Sequence, residues 1–177
     1  KYITQQRDVE AKESDYKWSA GDTIRTAIGQ SYNNYTSALM SKYVATLANG
    51  GTRYSMHFLN KITTNDGKIE EEYQPKVESK IEIKKENLDA IFRGMFLVTT
   101  GPRGTLRSYF KDFPVNVAAK SGTAQQSSKR SEHTTFVAFA PLEDPQISVC
   151  VIIPFGNGTT GPAPKVAKAA ISEYLKL

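Results

Sequence analysis

Apolar residues recur with the period of a helix in four stretches of the chain. In the clearest, from about Thr36 to Asn49, residues 39, 43 and 47 form one apolar stripe and residues 40, 44 and 48 form another. Thr36 can cap its start and two glycines follow its end, so we predict a buried helix here. The other three predicted helices are a short one capped by Asp22 or Thr23 and stopped by Gly29, one from Glu86 to the Gly101-Pro102 pair, and a C-terminal amphipathic one whose first turn holds Pro164.

Patterns typical of strands fill the stretches between these helices. Between Tyr54 and about Tyr73, the strand-like run from Phe58 to Thr63 precedes Asn65-Asp66-Gly67, which is turn chemistry, so we predict a hairpin with an exposed tip. Three further strands are predicted over residues 115–123, 135–140 and 147–153, and they should form an antiparallel meander. Together the elements predict an α+β fold in which helices cover an antiparallel sheet, with the last helix packed across it.

The composition favours a single globular domain. The chain has 177 residues, of which 39% are hydrophobic, and this length is close to that of one domain. The longest aliphatic run, Val149 to Ile153, is far short of the roughly 20 residues needed to span a bilayer. Because Lys1 is the first residue and residues 1–17 are polar, we expect a piece of a longer protein that begins with a connecting segment.

The charge and the metal-ligating residues narrow the choice of partners. The net charge is +5, but the basic residues are scattered, and the densest cluster, at Lys129-Arg130, has no interleaved aromatics. We therefore predict a solvated loop there and no nucleic-acid partner. His57, His133 and Cys150 lack ligand spacing, so no metal or cofactor is predicted. Cys150 is expected to be a buried strand thiol and His133 to lie at a cleft rim or on the surface.

The best candidate for chemistry is Lys120-Ser121-Gly122-Thr123, followed by Ala124-Gln125. Ser121 and Thr123 alternate along one strand, so their hydroxyls point the same way and can hold a carboxylate near the Lys120 ammonium. Gly122 lets a substrate backbone approach the strand, and the Thr123 N–H could serve an oxyanion. The tetrapeptide alone is common, and a strand end with a solvated lysine is the structural alternative.

The tetrapeptide stands in an ordered set of motifs that runs from about Trp18 to the C-terminus. These motifs are Gly21-Asp22-Thr23, Ala27-Ile28-Gly29-Gln30, Thr36, Tyr43 to Thr52, Gly94-Met95, Gly104-Thr105, Ala119 to Gln125, Phe136 to Pro141 and Ala163-Pro164. The set resembles the transpeptidase domain of penicillin-binding proteins, and within that family the chain looks most like the class B type that serves cell elongation or sporulation. Lys120-Ser121-Gly122 stands where the family has Lys-Thr-Gly, which keeps a hydroxyl.

The resemblance implies a D,D-transpeptidase that cross-links D-Ala-D-Ala stem peptides of peptidoglycan through a serine acyl-enzyme and that binds β-lactams. It also implies an enzyme anchored at the extracytoplasmic face of a bacterial membrane, within a cell-wall synthesis complex. Carried over, Lys120 supplies positive charge, Ser121, Gly122, Thr123 and Gln125 bind substrate, and the Thr123 N–H is half of an oxyanion hole.

Two motifs imitate the family's missing Ser-x-x-Lys and Ser-x-Asn motifs: Ser14-Asp15-Tyr16-Lys17 and Ser31-Tyr32-Asn33. We interpret both as coincidental. Ser14 lies in a polar stretch without an apolar stripe, and Ser31 lies inside the Gly-Gln element that the family places after both motifs. The nucleophile is therefore expected upstream, and residues 1–177 are expected to be the C-terminal portion of one incomplete transpeptidase domain.

Two other functions share these features. A noncatalytic cell-wall-binding or β-lactam sensor module would grip peptide carboxylates without turnover, and an upstream serine motif would separate it from the enzyme. A hydrolytic relative, such as a carboxypeptidase, would share the site but pass the acyl group to water.

Overall fold

The computed structural model describes residues 17–30, 33–125, 129–156 and 161–177. The chain divides into two compact units, Lys1–Tyr35 and Thr36–Leu177. The first contains helix α1 (Ala20–Ala27). The second contains helices α2 (Ser37–Ala48), α3 (Lys85–Thr100), α4 (Arg107–Phe110) and α5 (Ala163–Leu175), and strands β1 (Thr52–Tyr54), β2 (Lys61–Thr63), β3 (Ile69–Glu72), β4 (Val77–Lys80), β5 (Ala118–Ala124), β6 (His133–Ala140) and β7 (Ile147–Ile153).

Helix α1 begins earlier than its apolar spacing predicts. Its N-cap is Ser19, so the prediction of a cap at Asp22 or Thr23 is wrong. The Asp22 backbone N–H donates to the Ser19 hydroxyl, and the Ser19 N–H donates to the Asp22 carboxylate, which completes a capping box. The Ser19 hydroxyl also donates to the Asp22 carboxylate, at 2.7 Å, and this bond together with that from the Ser19 N–H lowers the pKa of Asp22. The predicted stop is confirmed, because Gly29 follows the helix at φ +81°.

The sheet that dominates the second unit is the predicted antiparallel meander, in the order β5-β6-β7. Strand β5 starts three residues later than predicted. Before it, the Asn116 carbonyl accepts the Leu142 N–H at 2.9 Å, so the backbone there bonds to the loop after β6. Strand β6 starts two residues earlier than predicted, at His133, which lies opposite Ala124.

Helices cover both faces of this sheet, which confirms the predicted α+β arrangement. On one face, called here the α2 face, Val44 of α2 and Phe92 of α3 pack with Ala118 and Phe139. On the opposite face, called the α5 face, the side chains in the core cluster include those of Leu106, Phe110, Ala119, Phe136, Ala167 and Ile171. Phe113 packs edge-on against Phe110 and extends the same core.

Helix α2 has the predicted ends but a different buried side. Thr36 caps it by accepting the Leu39 N–H. Leu39 and Tyr43 are 38% and 56% exposed, whereas Val44 is only 1% exposed. The helix is therefore buried along the stripe that contains Val44 and not all round, because only one of its sides meets the sheet.

The predicted hairpin is present as β2 and β3, with Gly67 at φ +85° in its turn. Its strands are shorter than predicted, since Phe58 and Leu59 lie outside them and are exposed. A second two-stranded sheet pairs β1 with β4. At Gly51, just before β1, φ is +106° and an added Cβ would lie 2.1 Å from the Ile81 carbonyl oxygen, so this position requires glycine.

Among the described residues, no helix is both long enough and apolar enough to cross a bilayer.

Candidate active site

Strand β5 carries every candidate site residue except Gln125, which follows its end. It lies at one edge of the meander, and β6 is the strand with which it pairs among the described residues. The outer edge of such a strand offers backbone N–H and C=O groups to an extended peptide. The sequence motif thus falls where a peptide can add to the sheet.

The side chains of the motif alternate between the two faces of the sheet. Lys120 and Gly122 lie on the α2 face, since they share it with Ala118. Ser121 and Thr123 lie together on the α5 face, as their spacing requires. Ser121 is buried, with 7% of its surface exposed, whereas Lys120 and Thr123 are exposed. The lysine therefore projects from the side of the strand opposite the two hydroxyls.

The Lys120 side chain folds back along the strand. Its Nζ donates to the Ser121 carbonyl oxygen at 2.5 Å, which keeps the ammonium beside the strand backbone. Next to it, Gly122 has room for a side chain: an added Cβ would lie 3.6 Å from the Thr135 Cβ, an ordinary contact. Packing within this chain does not by itself require glycine at position 122.

Helix α3 anchors the start of β5. The hydroxyl of Thr99, a residue only 1% exposed, donates to the Val117 carbonyl oxygen at 2.6 Å and has the Phe96 carbonyl as a second acceptor at 2.9 Å. After α3 the chain turns tightly through Gly101 and Gly104. An added Cβ at Gly104 would lie 2.6 Å from two carbonyl oxygens of α3, which explains the glycine of the Gly104-Thr105 motif.

At the far end of β5, three side chains meet above the sheet. The Phe155 backbone N–H donates to His133 Nδ1 at 3.2 Å, and the two ring centroids are 4.7 Å apart. The Arg130 guanidinium carbon lies 5.0 Å from the centroid of the Phe155 ring. Lys129 and Arg130 are exposed, as predicted for a solvated basic loop, and the Arg130 guanidinium also contacts an aromatic ring. In the sequence, His133 was recognised only as a residue of a cleft rim or of the surface, and no motif marks Phe155.

Cys150 lies in the same cross-strand row as Lys120, because both are opposite Val137. It is half-buried and not fully buried as predicted, and burial raises the pKa of its thiol. A thiol kept protonated is a poor nucleophile. His57 lies elsewhere, stacked on Tyr73 after β1. Within the described part of the chain, no three histidine, cysteine or acidic side chains are grouped as metal ligands.

The structure describes only part of the two motifs that imitate Ser-x-x-Lys and Ser-x-Asn. Ser14 and Ser31 lie outside the described residues. Asn33 Nδ2 donates to the carbonyl oxygens of Thr26 and Gln30, at 2.9 and 3.2 Å. That amide satisfies backbone acceptors at the end of α1, which is a structural task.

A second serine with a lysine three residues later was missed in the sequence: Ser108 and Lys111. Phe110, between them, stacks with Phe136, so α4 packs on the α5 face, away from Lys120. Lys111 is exposed and pairs with Asp112 at 3.7 Å. This pair therefore does not complete the site.

Comparison with known proteins agrees with the strand and sheet geometry. Residues 4–173 match the family model of the penicillin binding protein transpeptidase domain. The chain is 31% identical to penicillin-binding protein 2B of Streptococcus pneumoniae strain R6 and 32% identical to the peptidoglycan D,D-transpeptidase MrdA of Escherichia coli K12. These alignments cover 90% and 97% of the chain but 25% and 29% of the relatives.

Solved structures show the same fold. Penicillin-binding protein 2B of S. pneumoniae R6 superposes with a TM-score of 0.79 and 30% identity, covering 90% of this chain and 28% of that one. PBP2 of Pseudomonas aeruginosa in complex with WCK 5153 gives 0.74 and 32%, covering 92% and 34%. The chain belongs to the penicillin-binding protein transpeptidase domain family, and it spans between a quarter and about a third of the length of these relatives.

Proposed function

We propose that this chain is the C-terminal portion of a class B serine D,D-transpeptidase, whose nucleophilic serine is supplied by sequence upstream of it. The observation that carries the proposal is the Lys120-Ser121-Gly122-Thr123 motif on an edge strand, within a family match over residues 4–173. MrdA is named for this activity on peptidoglycan, and the pneumococcal relative is named for binding penicillin.

In the proposed reaction, the serine oxygen attacks the carbonyl carbon of the penultimate D-alanine of a stem peptide. The amide bond to the terminal D-alanine breaks, that residue leaves with a proton on its amine, and a serine ester remains. An amine of a neighbouring stem then attacks the ester, forms the cross-link and returns the proton to the serine. A penicillin undergoes the first step by opening its lactam ring, and the acyl group stays attached.

Each residue of the motif has a role in this reaction. Lys120 provides positive charge beside the strand, and Thr123 and Ser121 bind the terminal carboxylate through their hydroxyls. Thr123 is exposed whereas Ser121 is 7% exposed, so Thr123 makes the larger contribution. The Thr123 N–H forms half of an oxyanion hole. Gly122 leaves room for the donor backbone, and Gln125 contacts the donor beyond the end of the strand.

The partners follow from the substrate. Because peptidoglycan lies outside the cell membrane, the enzyme works on the extracytoplasmic face, and its anchor lies outside this chain. Its ligands are stem peptides and β-lactam antibiotics. It acts within a membrane-bound cell-wall synthesis complex, and it has no nucleic-acid partner.

The test is the intact mass of the full-length protein and of residues 1–177 after incubation with benzylpenicillin, followed by peptide mapping. We expect one adduct on the full-length protein, at a serine upstream of this chain, and none on residues 1–177. A T123V variant should acylate more slowly, whereas a T105V variant, changed at an exposed threonine outside β5, should not. An adduct on Ser14 would contradict an upstream nucleophile. If neither protein forms an adduct but a stem peptide binds, the chain is part of a noncatalytic module.

A further inference from the structure

The backbone groups of β5 alternate between β6 and the outer edge of the sheet, and two contacts before the strand show which residues face outward. The Asn116 carbonyl accepts the Leu142 N–H of the loop after β6, so it points to the β6 side. The next carbonyl, that of Val117, accepts the Thr99 hydroxyl and points away from β6. Because successive carbonyls of a strand point to opposite sides, the odd-numbered residues of β5 face the outer edge.

The pairing of β6 gives the same assignment. The Ala140 carbonyl accepts the Gln146 N–H, so it points toward β7. The carbonyls of the odd-numbered residues of β6 therefore point toward β5, and these residues are opposite the even-numbered residues of β5. Such pairs exchange both hydrogen bonds of an antiparallel ladder. The N–H and C=O groups of Ser121 and Thr123 therefore face the outer edge.

The Lys120 ammonium holds one of these outward groups, the Ser121 carbonyl. Nζ donates to this carbonyl oxygen at 2.5 Å, the short distance of a charge-assisted hydrogen bond. Because the carbonyl points outward, an ammonium so close to its oxygen also lies at the outer edge. Lys120 thus occupies an acceptor that a peptide strand added to β5 would otherwise use.

The proposed position of the donor shows which of its groups would meet this ammonium. The carbonyl of the penultimate D-alanine accepts from the Thr123 N–H, so the terminal D-alanine lies opposite Gly122. An antiparallel strand makes its next backbone pair two residues farther on, which here would be opposite Ser121. A residue beyond the terminal D-alanine would need the Ser121 carbonyl for its N–H. A donor that ends in a carboxylate has no N–H there, and its charge is attracted to the ammonium.

We propose that Lys120 is a specificity-determining residue that limits the donor to the carboxyl end of a peptide, because its ammonium fills the Ser121 carbonyl against the N–H of any further residue. The proposal rests on the proposed function and adds to it a selection against internal peptide bonds. Charge alone attracts a carboxylate, whereas an occupied carbonyl rejects an amide N–H. Ligands without charge separate the two effects.

The experiment measures dissociation constants by NMR titration of the full-length protein with N-acetyl-D-alanyl-D-alanine as the free acid, the methyl ester and the N-methylamide. The ester and the N-methylamide are both neutral and similar in size, but only the second has an N–H where a further residue would begin. K120M removes the ammonium and leaves the Ser121 carbonyl to the ligand. K120Q is the matched control, because its neutral side-chain amide can still donate to the carbonyl of the adjacent residue.

We expect the N-methylamide to bind the wild type about fivefold more weakly than the methyl ester, the factor that corresponds to one hydrogen bond. In K120M the order should reverse, because the ligand N–H gains the Ser121 carbonyl. K120Q should keep the wild-type order. The ratio of two dissociation constants within one variant does not depend on how much of that variant is folded. Equal affinities in the wild type, the same order in the wild type and K120M, or a reversed order in K120Q would overturn the proposal.

Failure of the proposed function would be recognised separately, by the mass of the wild-type protein after incubation with benzylpenicillin. If no adduct forms, the transpeptidase proposal fails, and a reversed order in K120M would then assign the recognition of peptide ends to a noncatalytic module. If an adduct forms but K120M shows no reversal, the transpeptidase proposal stands and the role of Lys120 in limiting the donor is refuted.

Discussion

Replacing Thr99 with valine removes the hydroxyl that joins helix α3 to the start of β5 and changes little else in shape. Thr99 is 1% exposed and its hydroxyl lies 2.6 Å from the Val117 carbonyl oxygen. Removing the partner of a buried acceptor costs about 1–3 kcal/mol. The new methyl group would also lie closer to that oxygen than the roughly 3.3 Å of a carbon–oxygen contact. We therefore expect T99V to lower the free energy of unfolding by about 2–3 kcal/mol.

The assay is scanning calorimetry of the full-length protein, in which the transition of this domain should shift down by roughly 4–12 °C. T100V is the matched control, because the Thr100 hydroxyl donates only within α3, to the Phe96 carbonyl at 2.9 Å. Its transition should move by no more than about 1–2 °C. If T99V and T100V shifted the transition equally, the anchoring of β5 by α3 would be refuted. Acylation by benzylpenicillin should also slow in T99V, since β5 is displaced.

Three further predictions concern charge, backbone conformation and pH. K120M should lower the second-order rate of acylation at least about 100-fold, and a change under threefold in stopped-flow kinetics would remove Lys120 from the site. The Cβ of G51A would lie 2.1 Å from a carbonyl oxygen, so this variant should lower the free energy of unfolding in urea by about 3 kcal/mol or more. G50A has open space at φ +78° and should lower it by only about 1 kcal/mol. Equal losses would contradict the close approach at Gly51. The hydrogen bond from Lys42 lowers the pKa of Glu78, and a depressed carboxyl pKa stabilises the folded state above the unfolded value. E78Q should therefore be less stable than the wild type at pH 7, and this deficit should shrink as the pH falls below 4.5; a deficit that stays constant in thermal unfolding scans would count against the ion pair.

The sequence predicted well those elements in which the apolar pattern agrees with the residues that begin or end a helix or strand. Strand β7 has the predicted ends, because a run of β-branched residues is bounded by turn residues on one side and proline on the other. Helix α2 has the predicted ends because a threonine cap and two glycines delimit its apolar stripes. The apolar and small residues around the motif likewise predicted that it lies on a strand. Tertiary structure alone determines that this strand is at the edge of the sheet.

What could not be predicted depends on contacts between distant residues. Two apolar stripes on α2 were equivalent in the sequence, and only the sheet decides that Val44 is buried while Tyr43 is exposed. At the start of α1, Ser19, Asp22 and Thr23 are all residues that cap helices, and the reciprocal bonds of one pair select the first. No motif marks Phe155, since its backbone N–H bonds to a histidine 22 residues earlier in the chain.

The burial of strand β5 decreases along its length, and this decrease explains how a strand packed in the core can present a binding site. At its start, Ala118 and Ala119 are completely buried, one against each helical layer. Toward its end, Thr123 and Gln125 are exposed. The buried start fixes the direction of the strand while the exposed end is free to bind a peptide, as a rigid site requires. It follows that changes at Thr99 should affect both stability and acylation, whereas changes at Thr123 should affect acylation with little loss of stability.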